Sequence, residues 1–215
     1  MTPQMGLEAC PVVAVGGQEL FELYYPGDDL GAVYSRDSTA FRVFAPTALG
    51  VSVMLYSSAQ SAKGWEVSMS PDCDGTWLAV VCGNLAGLCY TYRVFHGGSV
   101  KEAVDPYARA LTVNGGRGVV VDLASTDPAG WADDVRPPLA AATDAVVYEA
   151  HVRDFSISPD SGIRRRGKYL GMSERGTRGP AGVHTGVDHL VELGITHVHL
   201  LPIQDFASVD ERSPN

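Results

Sequence analysis

The chain has 215 residues, 45% of them hydrophobic and 19% charged, with a formal net charge of −9. This composition is typical of a globular protein with one or two domains and excludes a disordered chain. The acidic balance argues against a nucleic-acid partner, which would need clustered Lys and Arg. The apolar runs are shorter than the ~20 residues that a membrane helix requires, so we expect no membrane partner either.

The N-terminus and the cysteines indicate a cytoplasmic protein. Residues 1–30 form an acidic, irregular segment, and no Lys or Arg precedes Arg36, so the pattern of a signal peptide is not seen. Cys82 and Cys89 fall in strand-like runs and are predicted to be core thiols. None of the cysteines forms a Cys-x-x-Cys metal clip, so we expect reduced thiols, no bound metal and no cofactor. The four cysteines are Cys10, Cys73, Cys82 and Cys89.

Residues 31–123 consist of short runs of alternating apolar and polar residues, separated by Gly, Pro, Asn and Asp. Regular alternation of this kind predicts an antiparallel, immunoglobulin-like β-sandwich. The segment from Phe95 to Val100 contains Gly97-Gly98 and is predicted to be a hairpin connection. The clearest strand candidates are residues 39–44, 51–56, 76–81, 89–95 and 118–123.

Two tryptophans of this domain lie in different surroundings. Trp77 alternates with the apolar Leu78 and Val80 and is predicted to belong to the core. Trp65 stands in the polar stretch Ser-Ala-Lys-Gly-Trp-Glu. An exposed indole can stack on the apolar face of a sugar ring, so Trp65 is the candidate substrate-binding residue. The alternative is an ordinary turn residue without a ligand.

Residues 124–143 are rich in Pro and Ala and are predicted to be a linker. From Asp144 onward, two apolar strand candidates flank one amphipathic helix, which is a βαβ pattern. About a dozen residues follow the second strand, fewer than such a unit needs to bury its faces, so we expect residues 144–215 to be the start of a larger domain.

The helix of this pattern has signals at both ends. Thr185 is predicted to cap it, with Asp188 as the partner in a capping box. Gly194 is placed to end it in the left-handed conformation. The residues predicted to form its buried stripe are Val187, Leu190 and Val191.

Polar residues near the two strands of the βαβ pattern leave two interpretations open. His197 and His199 share one strand face, so they are either metal ligands or hydrogen-bonded side chains, and the lack of further ligands at suitable spacing favours the second. The group near the first strand either serves a site or forms a buried ion-pair network, and we expect the network. That group comprises Glu149, His151, Arg153 and Asp154.

The run Arg164-Arg165-Arg166 is the one strongly basic stretch of the chain. A short run of like charges in a Gly-rich loop is most simply an exposed loop face. The alternative is a docking patch for an anionic partner.

Both parts of the chain contain motifs that resemble a known family. The second part resembles the first barrel strands of the type I pullulanases, which belong to glycoside hydrolase family 13 in the α-amylase superfamily. The first part resembles the carbohydrate-binding module family 48 domain that precedes the barrel in those enzymes. The matching segments span about residues 19–214 and include Gly31–Tyr34, Phe41–Ala48, Tyr90–Val94, Val104–Ala110, Val113–Gly118, Val147–Ser156, Gly167–Gly171, His189–Pro202 and Asp205–Glu211.

The resemblance implies a multi-domain protein in which residues 144–215 begin an incomplete (β/α)8 TIM barrel. It implies hydrolysis of α-1,6-glucosidic linkages in α-glucans with retention, by two carboxylates. In the family these carboxylates lie on later barrel strands, so no catalytic residue is assigned here, neither Glu149 nor Asp154. We therefore expect the 215-residue chain alone to be inactive. The alternative is a free-standing, non-catalytic α-glucan-binding module.

Overall fold

The computed structural model describes residues 24–204 and 209–213. Cys10 and most of the acidic segment at residues 1–30 lie outside the described residues. The described chain forms two compact units. The first contains the residues up to Ala129 together with 209–213, and the second runs from Gly130 to residue 204. The domain limits inferred from the sequence stay predictions.

Strands dominate the described residues, which contain one α-helix. In chain order the elements are β1 Gly31–Tyr34, β2 Ser38–Phe44, β3 Gly50–Tyr56, β4 Trp65–Ser68, β5 Ser70–Pro71, β6 Thr76–Cys82, β7 Cys89–His96, β8 Ser99–Ala103, β9 Gly118–Val119, β10 Val147–Ala150, α1 Gly186–Glu192 and β11 His197–Leu200. Short 3-10 turns lie at Cys73–Gly75, Val113–Gly115, Leu123–Thr126, Trp131–Asp133, Ala142–Asp144, Pro159–Ser161 and Tyr169–Ser173.

The first unit is a sandwich of two antiparallel sheets. One sheet has the order β1-β2-β6-β5, and the other has the order β4-β3-β7-β8 with β9 paired to the start of β7. The inner faces of the two sheets share one core, in which the Phe41 and Tyr90 rings meet edge to face with centroids 5.1 Å apart. The predicted all-β sandwich is therefore confirmed.

The alternation of the sequence explains which side chains enter this core. Along β3, Val51, Val53 and Leu55 face the opposite sheet, as period-two alternation requires. The intervening Met54 is buried on the outer face in a small cluster that also contains Cys89. Cys89 is thus a core thiol as predicted.

Two residues of β6 test the sequence interpretation further. Trp77 packs against the core, and its indole N–H donates to the Ala45 carbonyl at 3.1 Å. The prediction for Cys82 was wrong, because this residue ends the strand and is exposed. Strand ends project beyond the opposite sheet, so apolar character alone does not bury them.

The connection between β7 and β8 is the predicted hairpin. His96 pairs with Ser99, which leaves Gly97 and Gly98 as a two-residue turn. Their φ angles are 41° and 93°, and a tight turn with two positive φ angles favours Gly at both positions.

The second unit contains the predicted βαβ arrangement. β10 and β11 are parallel, with Val147 opposite His197 and Glu149 opposite His199. Helix α1 lies between them in the chain, and Gly194 follows it with φ 73°. The expected left-handed end of the helix is confirmed. The structure describes no helix that is both long and apolar enough to cross a bilayer.

The predicted details of α1 are partly wrong. Leu190 is buried, but Val191 is 60% exposed, so the buried stripe is narrower than its pattern indicates. The capping box is not formed, because the Thr185 hydroxyl donates to the Ser161 carbonyl instead. Asp188 accepts a hydrogen bond from the Gly176 amide and pairs with Arg175. The Thr185 and Asp188 side chains, which a capping box would use, therefore bind residues of the preceding loop instead.

Candidate functional site

Trp65 is the first residue of β4, which is an edge strand of the five-stranded sheet. It pairs with Leu55, whose side chain is fully buried in the sandwich core. Because opposite residues of an antiparallel pair share a face, Trp65 belongs to the core side of the sheet, at its rim. The side chain is nevertheless 45% exposed. Part of its ring surface is available for stacking, and a role in binding stays a prediction.

The outer face of the same sheet carries a continuous polar network, here called the outer-face network. Its centre is Arg93 on β7, whose guanidinium lies 3.5 Å from the Glu66 carboxylate on β4 and 3.1 Å from the Glu102 carboxylate on β8. Glu102 also accepts hydrogen bonds from the Tyr56 hydroxyl at 2.6 Å and from the Thr91 hydroxyl at 2.7 Å. The network therefore links all four main strands of this sheet.

The electrostatics of this network centre on Glu102. Partial burial by itself raises the pKa of that carboxyl, but the hydrogen bonds from Tyr56, Thr91 and Arg93 outweigh it, so the pKa is lowered. Glu102 therefore stays ionised and holds the surrounding donors. The outer-face network is satisfied by its own hydrogen bonds and ion pairs, with Arg93 shared between two acids.

Arg117 covers the end of this network. Its guanidinium carbon lies 3.5 Å from the centroid of the Tyr56 ring. The same group donates to the Ser58 carbonyl at 3.0 Å and to the Ser61 carbonyl at 2.9 Å. It thereby fixes the loop that leads from β3 into β4 and to Trp65. This residue is not among the predicted site residues, since a single Arg in a Gly-rich turn carries no local sign of its partners.

The segment 209–213 lies against the first unit through one residue of the turn before β9. The side-chain amide nitrogen of Asn114 donates to the Asp210 carboxylate at 2.8 Å, and the backbone N–H of Asn114 donates to the Glu211 carboxylate at 2.6 Å. The Glu211 N–H donates in return to the Asn114 side-chain oxygen at 2.9 Å. Asn114 has φ 58°, a left-handed conformation that Asn tolerates better than most residues. No local pattern around Asn114 predicts this clamp.

A buried carboxylate fixes the segment between β8 and β9. Asp105 is 3% exposed and accepts the Tyr90 hydroxyl at 2.6 Å and the Tyr107 backbone N–H at 2.8 Å. Burial raises the pKa of Asp105, and the hydrogen bonds only partly oppose this effect. Burial likewise raises the pKa of Tyr90. With both carboxylate oxygens satisfied inside the sandwich, the group is structural.

The polar group near β10 forms ion pairs, but not the buried network that was expected. Glu149 pairs with His199 at 3.2 Å across the two strands, and both side chains are more than half exposed. Asp154 lies 3.6 Å from His151 and 3.7 Å from Arg153, also at the surface. The strand ends at Ala150, so His151 and Arg153 belong to the following turn. Within residues 24–204 and 209–213, no cluster suits a metal ion.

Both units of the chain are similar to parts of known proteins. Residues 29–108 match the family described as Carbohydrate-binding module 48 (Isoamylase N-terminal domain). The chain is 40% identical over 193 residues to a pullulanase of Bacillus subtilis, covering 90% of this chain and 26% of that protein.

Two solved structures show the same relation. A pullulanase from Bacillus acidopullulyticus is 50% identical with a TM-score of 0.84, over 88% of this chain and 24% of that one. A pullulanase from Paenibacillus barengoltzii is 54% identical with a TM-score of 0.84, over 90% of this chain and 30% of that one. The chain thus spans about a quarter of the length of these relatives. Residues 29–108 thus match the carbohydrate-binding module 48 family, and most of the chain is similar to one part of these pullulanases.

Proposed function

We propose that this chain is part of an enzyme that hydrolyses α-1,6-glucosidic linkages in α-glucans such as pullulan, amylopectin and glycogen. The observation that carries this proposal is the extent of the similarity, which covers 90% of the chain and therefore both of its units. The solved relative from Paenibacillus barengoltzii was obtained with maltohexaose and α-cyclodextrin. Ligands of that chemistry suit an α-glucan as the substrate class here.

We propose that the second unit is the start of a (β/α)8 barrel. Parallel strands are normally covered on both faces. In β10 and β11, however, Val147 is 60% exposed, Val198 is 43% exposed and Tyr148 is 37% exposed. Apolar exposure on a parallel pair is expected where further strands and helices pack in a complete barrel, which has eight strands.

The chemistry of the proposed reaction needs two carboxylates, one as nucleophile and one as acid and then base. The acids nearest the C-terminal end of β10 are otherwise engaged: Glu149 pairs with His199, and Asp154 interacts with neighbouring basic residues. We assign neither a catalytic role. In this proposal the described units position glucan and begin the barrel, while the catalytic carboxylates belong to later strands, so the 215-residue chain alone is inactive.

The test compares three proteins in an assay of reducing-sugar release from pullulan. They are this chain, a fusion that continues it into the remaining barrel of the Paenibacillus barengoltzii pullulanase, and that remaining barrel alone. Activity confined to the fusion supports the proposal. Activity of this chain alone, or a folded and inactive fusion, contradicts it.

A free-standing α-glucan-binding module is the second candidate. It is favoured by the carbohydrate-binding module match and by the half-exposed Trp65 at the sandwich rim. Affinity electrophoresis in gels that contain pullulan or amylopectin distinguishes the two. Retardation of this chain, combined with a folded but inactive fusion, supports the module instead of the enzyme.

A further inference from the structure

The loop between β10 and α1 lines a cavity of about 600 Å³ that is open to solvent. Four arginines line it, together with one acid, Glu174. The side chains that line it therefore carry a charge of +3, in a chain whose net charge is −9. The lining arginines are Arg164, Arg165, Arg175 and Arg178.

The single acid in this lining, Glu174, is already engaged in hydrogen bonds and an ion pair within the loop. The Glu174 carboxylate accepts the backbone N–H groups of Arg164 at 2.9 Å and Arg165 at 3.0 Å. It also pairs with the Arg165 guanidinium at 3.1 Å. These amide hydrogen bonds lower the pKa of Glu174, so it stays ionised as a fixed part of the wall.

The remaining arginines differ in how far they are engaged. Arg175 pairs with Asp188 at 3.3 Å, and Arg178 donates to the Gly182 carbonyl at 2.6 Å. The guanidinium of Arg164 has no hydrogen-bond or ion-pair partner within the residues that the structure describes. The Arg164 guanidinium is therefore a cationic group that is available to a ligand.

The walls of this cavity are held by packing within the loop. A side chain at Gly162 would approach the Arg178 carbonyl to 2.3 Å, and one at Gly171 would approach the Arg165 carbonyl to 2.4 Å. The buried Ser156 hydroxyl accepts the Gly167 N–H at 2.8 Å. The arginine backbones are therefore anchored at several points, which lowers the entropy lost when a ligand is bound.

Guanidinium groups present several N–H donors in a planar fork that matches the oxygens of a phosphate. We propose that this arginine-lined cavity binds a phosphoryl group and, resting on the proposed function, that the group is a phosphate monoester carried by an α-glucan. The basic run at Arg164 is thereby a docking site, and not only an exposed loop face.

The test is isothermal titration calorimetry of the full 215-residue chain with glucose 6-phosphate, inorganic phosphate and glucose, each in a separate titration. We expect saturable binding of glucose 6-phosphate, no binding of glucose, and about 10- to 150-fold weaker binding in Arg164→Gln, since a hydrogen bond to a charged group contributes about 1.5–3 kcal/mol. Arg166→Gln is the matched control, because it removes the same charge two residues away, outside the cavity lining.

Each outcome decides one part of the proposal. Binding of inorganic phosphate as tight as that of glucose 6-phosphate overturns the sugar-linked ligand but keeps the phosphoryl site. Equal losses in the two variants, or no binding of either phosphate, overturn the site itself. Retardation of Arg164→Gln in gels containing unphosphorylated pullulan reports on the proposed function separately, and we expect it to equal that of the parent chain.

Discussion

The Arg117 guanidinium lies 3.5 Å from the centre of the Tyr56 ring and donates to two backbone carbonyls of the loop after β3. The Tyr56 side chain is only 4% exposed, so the guanidinium and the loop together cover the ring. Gly64 lets the loop pack closely against the end of β3, since a Cβ there would lie 2.4 Å from the Leu55 carbonyl oxygen and 2.8 Å from the Tyr56 ring. One side chain from the turn before β9 thus determines how the chain enters β4 at Trp65.

Replacement of Arg117 tests that relation. We expect Arg117→Gln to lower the free energy of unfolding by about 1–2 kcal/mol, because it loses a cation–π contact and charge-assisted hydrogen bonds. The measurement is urea unfolding, with amide hydrogen exchange of residues 57–64 as the local readout. Arg36→Gln, at an exposed turn, is the control. Equal stability of the two variants would show that the contacts of Arg117 contribute nothing to the free energy of unfolding.

Asp105 predicts a pH dependence of stability. Burial raises the pKa of its carboxyl above the usual value, so folding favours the protonated form. The contribution of this group is therefore fully present below its unfolded-state pKa and is lost as the pH rises through the folded-state pKa. We expect the stability of the parent chain relative to Asp105→Asn to decline as the pH is raised from 4 to 7.

Urea unfolding of the parent chain and Asp105→Asn across that pH range measures the effect. Asp37→Asn, in an exposed turn, serves as the control and should leave the difference from the parent chain nearly constant. A difference between the parent chain and Asp105→Asn that rises with pH would contradict the sign of the pKa shift.

The clamp at Asn114 predicts the accessibility of residues 209–213. Asn114→Gly keeps the left-handed conformation available but removes the side-chain hydrogen bonds to Asp210 and Glu211. We expect faster tryptic cleavage after Arg212 in this variant. Asn114→Ala should show the same release and an added loss of stability of about 1 kcal/mol, because a side chain in the left-handed region is strained. Unchanged cleavage in both variants would mean that the clamp does not hold the segment.

The sequence predicted central strands better than edge strands, for a physical reason. β2, β3, β6 and β7 are covered on their inner faces, so their alternation is strong. All five residues of the edge strand β8 are exposed, and a strand that buries nothing need not alternate. The edge strand β4, which begins at Trp65, buries only part of Val67, so its polar sequence is typical of a turn.

No local sequence pattern predicts the contacts around the candidate site. Arg117 meets Ser58 across 59 positions, and Asn114 meets Glu211 across 97. Such pairs depend on the tertiary arrangement, which a single sequence does not reveal. The chemistry of Trp65 as an exposed aromatic could be predicted because it rests on a local contrast between one ring and its polar neighbours.

The two tryptophans of the sandwich provide a matched test of glucan binding. We expect Trp65→Ala to weaken retention in pullulan-containing gels by roughly threefold to tenfold, since an aromatic stacking contact contributes about 0.5–1.5 kcal/mol. Its effect on stability should be smaller than that of Trp77→Ala, which removes a core side chain at a cost of about 3 kcal/mol. Trp65→Phe should restore part of the retention. Full retention in Trp65→Ala would remove this residue from the site.

Helix α1 provides the last test, because its sequence pattern and its structure disagree. Leu190 is 5% exposed and Val191 is 60% exposed, although both were predicted to be buried. We expect Leu190→Ala to destabilise the second unit by about 2–4 kcal/mol and Val191→Ala by less than about 0.5 kcal/mol. Amide hydrogen exchange of β10 and β11 measures both effects. In the fusion with a complete barrel, a larger cost of Val191→Ala would mean that this side chain becomes covered there, as the proposed architecture requires.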